Sequence, residues 1–183
     1  MEEYLDYDDG TDTRYELVDG ELVEMPTESQ VNLSITKYLL FELAKHLPIA
    51  LLATMTEVEV SGKRAKSRVP DLMVHSQESK AALSGRDRAI LLRDMPPPVL
   101  VIEVVSPGQE NRDRDYRYKR TEYAARGIAE YWIIDPEKQQ VTLCLWVNGQ
   151  YEDTVYDRDA PIRSTVVPGF NLSAGQILAF GQN

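Results

Sequence analysis

The spacing of apolar residues along this 183-residue chain changes several times, and each change marks an element. Tyr15-Glu16-Leu17-Val18 and Glu21-Leu22-Val23-Glu24-Met25 are short strand-like runs about Asp19-Gly20, a pair that favours a tight hairpin turn; Pro26 ends the unit. From Thr27 or Ser29 the period lengthens. Val31, Ile35, Leu39, Leu43 and Leu47 recur every four residues, with Leu40 and Ala44 widening the stripe, which predicts a helix that Pro48 stops. Strands are expected over about 49–60 and 68–75, joined by a basic turn over 61–68, and residues 76–94 read as partly helical. The stiff triplet Pro96-Pro97-Pro98 leads into a continuous apolar strand over 99–105, which Ser106-Pro107-Gly108 breaks. A helix from about Arg112 to Arg126 follows, with Gly127 placed to cap it. Glu130–Asp135 is a strand. Val141–Val147 and Gln150–Tyr156 form a second hairpin about Asn148-Gly149. The tail adds a short strand near 163–167 and an apolar segment near 177–180. The pattern predicts one α/β domain over 1–183, with a mixed sheet, a helix before the core strands and another after them. The acidic residues 1–13 are expected to be a loosely ordered lead-in.

Composition narrows the class. With 43% hydrophobic and 27% charged residues, the chain reads as an ordinary soluble globular protein. No apolar run approaches the ~18 residues of a membrane helix, and the acidic N-terminus has no signal-peptide core, so no membrane association and a cytoplasmic location are expected. The one cysteine, Cys144, excludes an internal disulfide and a thiolate zinc site and reads as core. A nucleophile–histidine mechanism would have to use His46 or His75; His75 could face the same side as Asp71. The net charge of −10 argues against a polyanion as partner, but its distribution reverses that. Residues 61–126 hold 14 of the 20 Lys and Arg and 9 of the 30 Asp and Glu, and local fields rather than net charge steer a polyanion. The alternative is that these charges are ordinary solvated faces.

Two acids stand out. Asp71 lies in Arg68-Val69-Pro70-Asp71-Leu72-Met73-Val74, and Glu103 in Val99-Leu100-Val101-Ile102-Glu103-Val104-Val105. An acid within a Val, Ile and Leu run is expensive to desolvate unless it is paired or coordinates a metal. Phosphodiester hydrolysis needs a neutralised phosphate and an activated water, and Mg²⁺ held by one or two carboxylates supplies both. Asp71 and Glu103 would suffice, with the Val104 carbonyl as a third contact. A structural pairing of both acids with arginines is the competing reading.

These residues resemble the PD-(D/E)XK nuclease superfamily, and within it the restriction endonuclease family expanded in cyanobacteria. The resemblance rests on an ordered set: Tyr15 to Val23, Val69-Pro70-Asp71-Leu72, Pro97 to Pro107, Lys119-Arg120-Thr121-Glu122-Tyr123, and Gly127 to Asp135. It implies a restriction endonuclease-like fold: a mixed β-sheet core flanked by helices, with N-terminal and C-terminal hairpins. It also implies an endonuclease that uses Mg²⁺ or Mn²⁺ to hydrolyse DNA. One position departs from the pattern. Two residues after the glutamate, where the superfamily carries lysine, stands Val105, on the same strand face as Glu103. The resemblance moves the lysine to the following helix, where Lys119 shares a face with Arg112, Tyr116 and Tyr123. Lys119 as a surface partner of Asp115 is the alternative. A further acid from the N-terminal region often joins such sites; Glu16, Glu21 and Glu28 are candidates, and Glu28 is equally a simple helix-start charge. Arg112, Arg114, Arg117 and Arg120, with the 63–68 turn, would contact phosphates. A homodimer is expected by analogy. The rival function is a nuclease-fold DNA-binding or assembly module without activity, favoured by Val105 and the overall charge.

Overall fold

A computed structural model describes every residue except 1, 6, 8, 9, 12, 14, 19, 26, 63–65, 182 and 183. The expected turn residue Asp19, the stop at Pro26 and the Lys63–Ala65 part of the basic turn lie outside the described residues. Helix α1 (Glu2–Leu5) precedes the hairpin β1 (Tyr15–Val18) and β2 (Glu21–Glu24). In the acidic lead-in Tyr4 is buried, and its hydroxyl donates to the Tyr15 carbonyl and to Glu57.

Helix α2 (Gln30–Leu43) is capped by the Ser29 hydroxyl, which accepts from the Asn32 N–H. Its buried face is Asn32, Ile35, Leu39 and Leu43, whereas Val31 is exposed. Ile35, Leu39 and Leu43 thus form the expected stripe, but the polar Asn32 takes its head in place of Val31.

The two long strands expected over 49–60 and 68–75 are each divided between two sheets. The first becomes a 3₁₀ turn (Ile49–Leu51), β3 (Leu52–Ala53) and β4 (Glu57–Glu59). Met55, at φ 65°, breaks the extended path and turns the chain from one sheet to the other. The second becomes β5 (Ser67–Arg68) and β6 (Leu72–Val74). Pro70, which has no N–H to give to a ladder, stands at that handover. Helix α3 (Gln77–Ala82) and β7 (Ile90–Leu91) follow, and β5-β4-β7 form a small sheet.

Strand β8 (Leu100–Val104) lies at the centre of the large sheet, and β9 (Glu130–Asp135) runs parallel beside it. Parallel neighbours need a crossover, which residues 109–126 supply as α4 (Gln109–Asp113), a π-helical stretch (Arg114–Lys119) and α5 (Arg120–Arg126). Gly127 closes the helix in the left-handed conformation, as expected. Strands β10 (Gln140–Val147) and β11 (Gln150–Asp157) form the expected hairpin, with Asn148 and Gly149 both at positive φ. The sheet order is β11-β10-β9-β8-β6-β3.

No strand forms near 163–167; the segment wraps instead around the Glu130 carboxylate, which takes the N–H groups of Thr165 and Val166. The apolar tail is helix α6 (Ala174–Ala179), started by a Ser173/Gln176 capping box.

Alternation along β8 sorts the core. Leu100, Ile102 and Val104 face one layer with Ile35, Leu39, Leu43 and Ile177. Val101 and Val105 face the other with Tyr123, Ile128 and Tyr131. Glu103 lies on this second face, under the crossover helix.

Candidate functional site

The β6–β8 register pairs Leu72 with Ile102, so one further step places Asp71 opposite Glu103. The chain leaves the ladder there, and the Val104 peptide is satisfied by side chains instead. Its N–H donates to Asp71 Oδ2 at 2.6 Å, and its carbonyl accepts from Asn32 Nδ2 at 3.1 Å. Asn32 Nδ2 also lies 3.1 Å from Glu28 Oε2 and from Ser106 Oγ. The polar residue at the head of the α2 stripe therefore ties the helix start to the end of β8. Its place in a buried stripe was the signal that could have found it in sequence.

Glu103 is buried, and both its oxygens are engaged. Oε1 accepts from the Tyr123 hydroxyl and Oε2 pairs with Lys119 Nζ, each at 2.7 Å. Lys119 is also buried and pairs with Asp115 Oδ1 at 3.2 Å, so it is not part of a surface pair. The π stretch breaks the 3.6-residue period on which the expected helix face was drawn. Lys119 and Tyr123 reach Glu103, whereas Tyr116 donates to Asp135 and Arg112 pairs with Glu137. Val105 is buried in apolar contacts beside Tyr123, leaving that face without a strand lysine.

Asp71, Glu103, Val104 and Lys119 line one cleft of about 330 Å³. Its other walls bring in Glu16, Glu24, Glu28, Asn111 and Arg114. Glu28 and Glu16 thus reach the cleft, and Glu21 does not line it. Five carboxylates and two basic side chains share the cleft. Burial pushes Asp71 up to about 6, against the pull of Lys119 and the Val104 N–H. Burial likewise raises Glu103 against the pull of Lys119, with the Asp71 charge adding to the rise. Burial acts to lower Lys119, but Asp115 and Glu103 outweigh it and hold the ammonium charged. The cleft is short of positive charge, and that is the demand a cation meets. Among the described residues no three His, Cys, Asp or Glu side chains form a metal-binding group. Two carboxylates and a backbone carbonyl do fit a cation that keeps several waters, which is how Mg²⁺ is usually held.

Several cations of the basic stretch are paired with acids. Arg68 is buried, with Nε 2.8 Å from Glu122 and Nη1 2.8 Å from Glu16. Arg120 pairs with Asp153 on β11, and Arg117 lies near Asp113. Of the four helix arginines proposed to meet phosphates, Arg114 is the one that lines the cleft. Among the described residues neither Asp71 nor Glu103 has an arginine within ion-pair distance; the arginines near the site pair instead with Glu16 and Glu122 (Arg68) and with Asp115 (Arg114 Nε to Oδ1, 3.4 Å). His75 is buried against Ser79, His46 lies against Phe170, and Cys144, Tyr131 and Trp132 are core.

The helix-flanked mixed sheet, with its acids at the break in the β6–β8 ladder, is a restriction endonuclease-like α/β fold. A crystal structure described as a "putative nuclease belonging to DUF820 from Anabaena variabilis ATCC 29413" matches it with a TM-score of 0.74. The match covers 98% of this chain and 97% of that one at 18% sequence identity. A model of the Uma2 family, described as "Putative restriction endonuclease", matches residues 1–175, and the chain belongs to that family. The family resemblance drawn from the five motifs therefore holds. No curated protein matches the chain. Among the described residues no helix is long and apolar enough to cross a membrane.

Proposed function

We propose that this protein is a Mg²⁺- or Mn²⁺-dependent endonuclease that hydrolyses DNA phosphodiester bonds. Asp71, Glu103 and the Val104 carbonyl would hold the cation, and Lys119 is the catalytic, water-orienting group beside them. The observation that carries this reading is Lys119 Nζ at 2.7 Å from Glu103 Oε2, in the cleft that Asp71 also lines. A helix-borne ammonium thus stands beside the carboxylate whose strand partner is Val105. Membership in a family described as restriction endonucleases supports the same substrate class.

When bound, the metal would neutralise phosphate charge and lower the pKa of a coordinated water. The chain's own residues do the rest. The Val104 N–H fixes the Asp71 carboxylate, and the Tyr123 hydroxyl fixes Glu103. Lys119 orients the attacking water and offsets charge developing on the phosphoryl oxygens. Arg114, a third exposed at the cleft, positions the neighbouring phosphate. Residues 1–183 would act as one domain in the cytoplasm, and a homodimer would bring two such clefts to the two strands.

The test is supercoiled plasmid cleavage at low salt with Mg²⁺ or Mn²⁺, together with Mn²⁺ calorimetry. Wild type should bind one Mn²⁺ and nick DNA, and Asp71→Ala should lose both. Lys119→Ala should lose cleavage by about 10²-fold or more. Cleavage unchanged in Lys119→Ala would overturn that residue's assignment. If wild type binds no Mn²⁺, the enzyme reading fails and the inactive DNA-binding or assembly module takes its place.

A further inference from the structure

Each Glu103 oxygen already has a donor: Tyr123 on one and Lys119 on the other. A divalent cation that takes the Lys119-held oxygen meets the positive charge of a buried ammonium 2.7 Å away and repels it. A buried charge stripped of its partner is strongly destabilising, so Lys119 needs a second acceptor within reach. Asp115 is that acceptor. It lies four residues earlier on the π stretch, is itself buried, and already meets Nζ through Oδ1 at 3.2 Å. Its other oxygen, Oδ2, is buried and has no hydrogen-bond partner among the described residues. An unmet carboxylate oxygen in such surroundings is costly and asks for a donor. The Tyr131 hydroxyl donates to the Asp115 backbone carbonyl at 3.1 Å, and Arg114 Nε lies 3.4 Å from Oδ1, so Oδ2 is the oxygen left for the ammonium.

We propose that Asp115 is a positioning residue, the acceptor onto which the Lys119 ammonium withdraws when a divalent cation occupies Glu103. The inference rests on the metal-site reading of Asp71 and Glu103. Lys119 moves by a rotation of its own stem and stays charged and buried beside the site. Without Asp115, the ammonium remains on Glu103 and competes with the metal.

Mn²⁺ calorimetry on the isolated protein tests this without any cleavage assay. Asp115→Asn should weaken binding by about 10–100-fold, the range typical of groups that support a metal's ligands. Lys119→Met should tighten it by about tenfold, because the competing cation is gone. In the Lys119→Met background, Asp115→Asn should then change the affinity less than about twofold, since Asp115 has no ammonium left to hold. An equal loss in both backgrounds would mean that Asp115 acts through its own field on the metal, and would overturn the proposal. So would an unchanged affinity in the wild-type background. Asp115→Glu should stay near wild type. A structure of wild type with Mg²⁺ reads the same point independently of any variant's folding. Lys119 Nζ should lie beyond about 4 Å from Glu103 and within about 3 Å of Asp115 Oδ2; an ammonium still seated on Glu103 would contradict the inference. A wild type that binds no Mn²⁺ removes the metal site itself, whereas binding that ignores Asp115 removes only this role.

Discussion

Glu103 and Glu130 sit on neighbouring parallel strands, both buried, and they are held in opposite ways. Glu130 accepts five hydrogen bonds, from the Trp132 indole, the Ser164 hydroxyl, the Thr165 N–H and hydroxyl, and the Val166 N–H. All five donors are neutral and fixed in place, so the carboxylate acts as a clasp that pins the chain after β11 to the sheet. Glu103 has one hydroxyl and one ammonium, faces other acids, and opens on a cleft. A buried acid saturated by fixed dipoles builds structure. One that shares a mobile cation with its neighbours is set up to exchange that cation.

Breaking the clasp should give the largest effect on stability. Glu130→Ala leaves several buried donors unmet and should lower the unfolding free energy by about 4 kcal/mol in urea titrations. Arg68→Met should come next. It leaves the part-buried Glu16 and the buried Glu122 as facing carboxylates without their arginine, a loss of about 3 kcal/mol that Arg68→Met with Glu122→Gln should partly restore.

His75 gives a smaller effect with a defined sign. Burial, aided by the Lys80 charge, lowers its pKa to about 4, so the native state keeps the ring neutral where the unfolded chain protonates near 6.5. Its contribution is full above about pH 6.5 and is lost as pH falls toward 4. Wild type should therefore lose about 2 kcal/mol more between pH 7 and pH 5 than His75→Asn does. Equal pH slopes would show that the histidine is not held neutral.

The two glutamates also differ in how legible they were before the fold was known. Glu103, alone in a run of Val, Leu and Ile, announced itself, and so did Asp71 after its proline. Glu130 begins a strand as an ordinary polar residue would, and its donors come from residues 164–166, where spacing predicts a strand. Local pattern placed both hairpins, the crossover helix and the β9 bounds, because turn residues and period are local properties. It missed the division of residues 49–60 and 68–75 between two sheets, because alternation records which face a residue takes and not which sheet it joins. The charge-rich stretch did not reveal its own ion-pair partners for a related reason. The acids that neutralise Arg68, Arg112 and Arg120 include Glu16, Glu137 and Asp153, all outside that stretch. Asp115 was visible only as the surface partner of Lys119 in the alternative reading, and the structure buries that pair on the π stretch.

The contrast between the two acids meets its most direct test in Glu103→Gln. The substitution keeps the side chain's shape, relieves repulsion from Asp71 and Asp115, and leaves Lys119 with Asp115 as partner. The unfolding free energy should change by no more than about 1 kcal/mol. Calorimetric titration with Mn²⁺ should show one site in wild type and none in Glu103→Gln. A variant that keeps the wild-type Mn²⁺ affinity would contradict the assignment of Glu103 as a metal-binding acid.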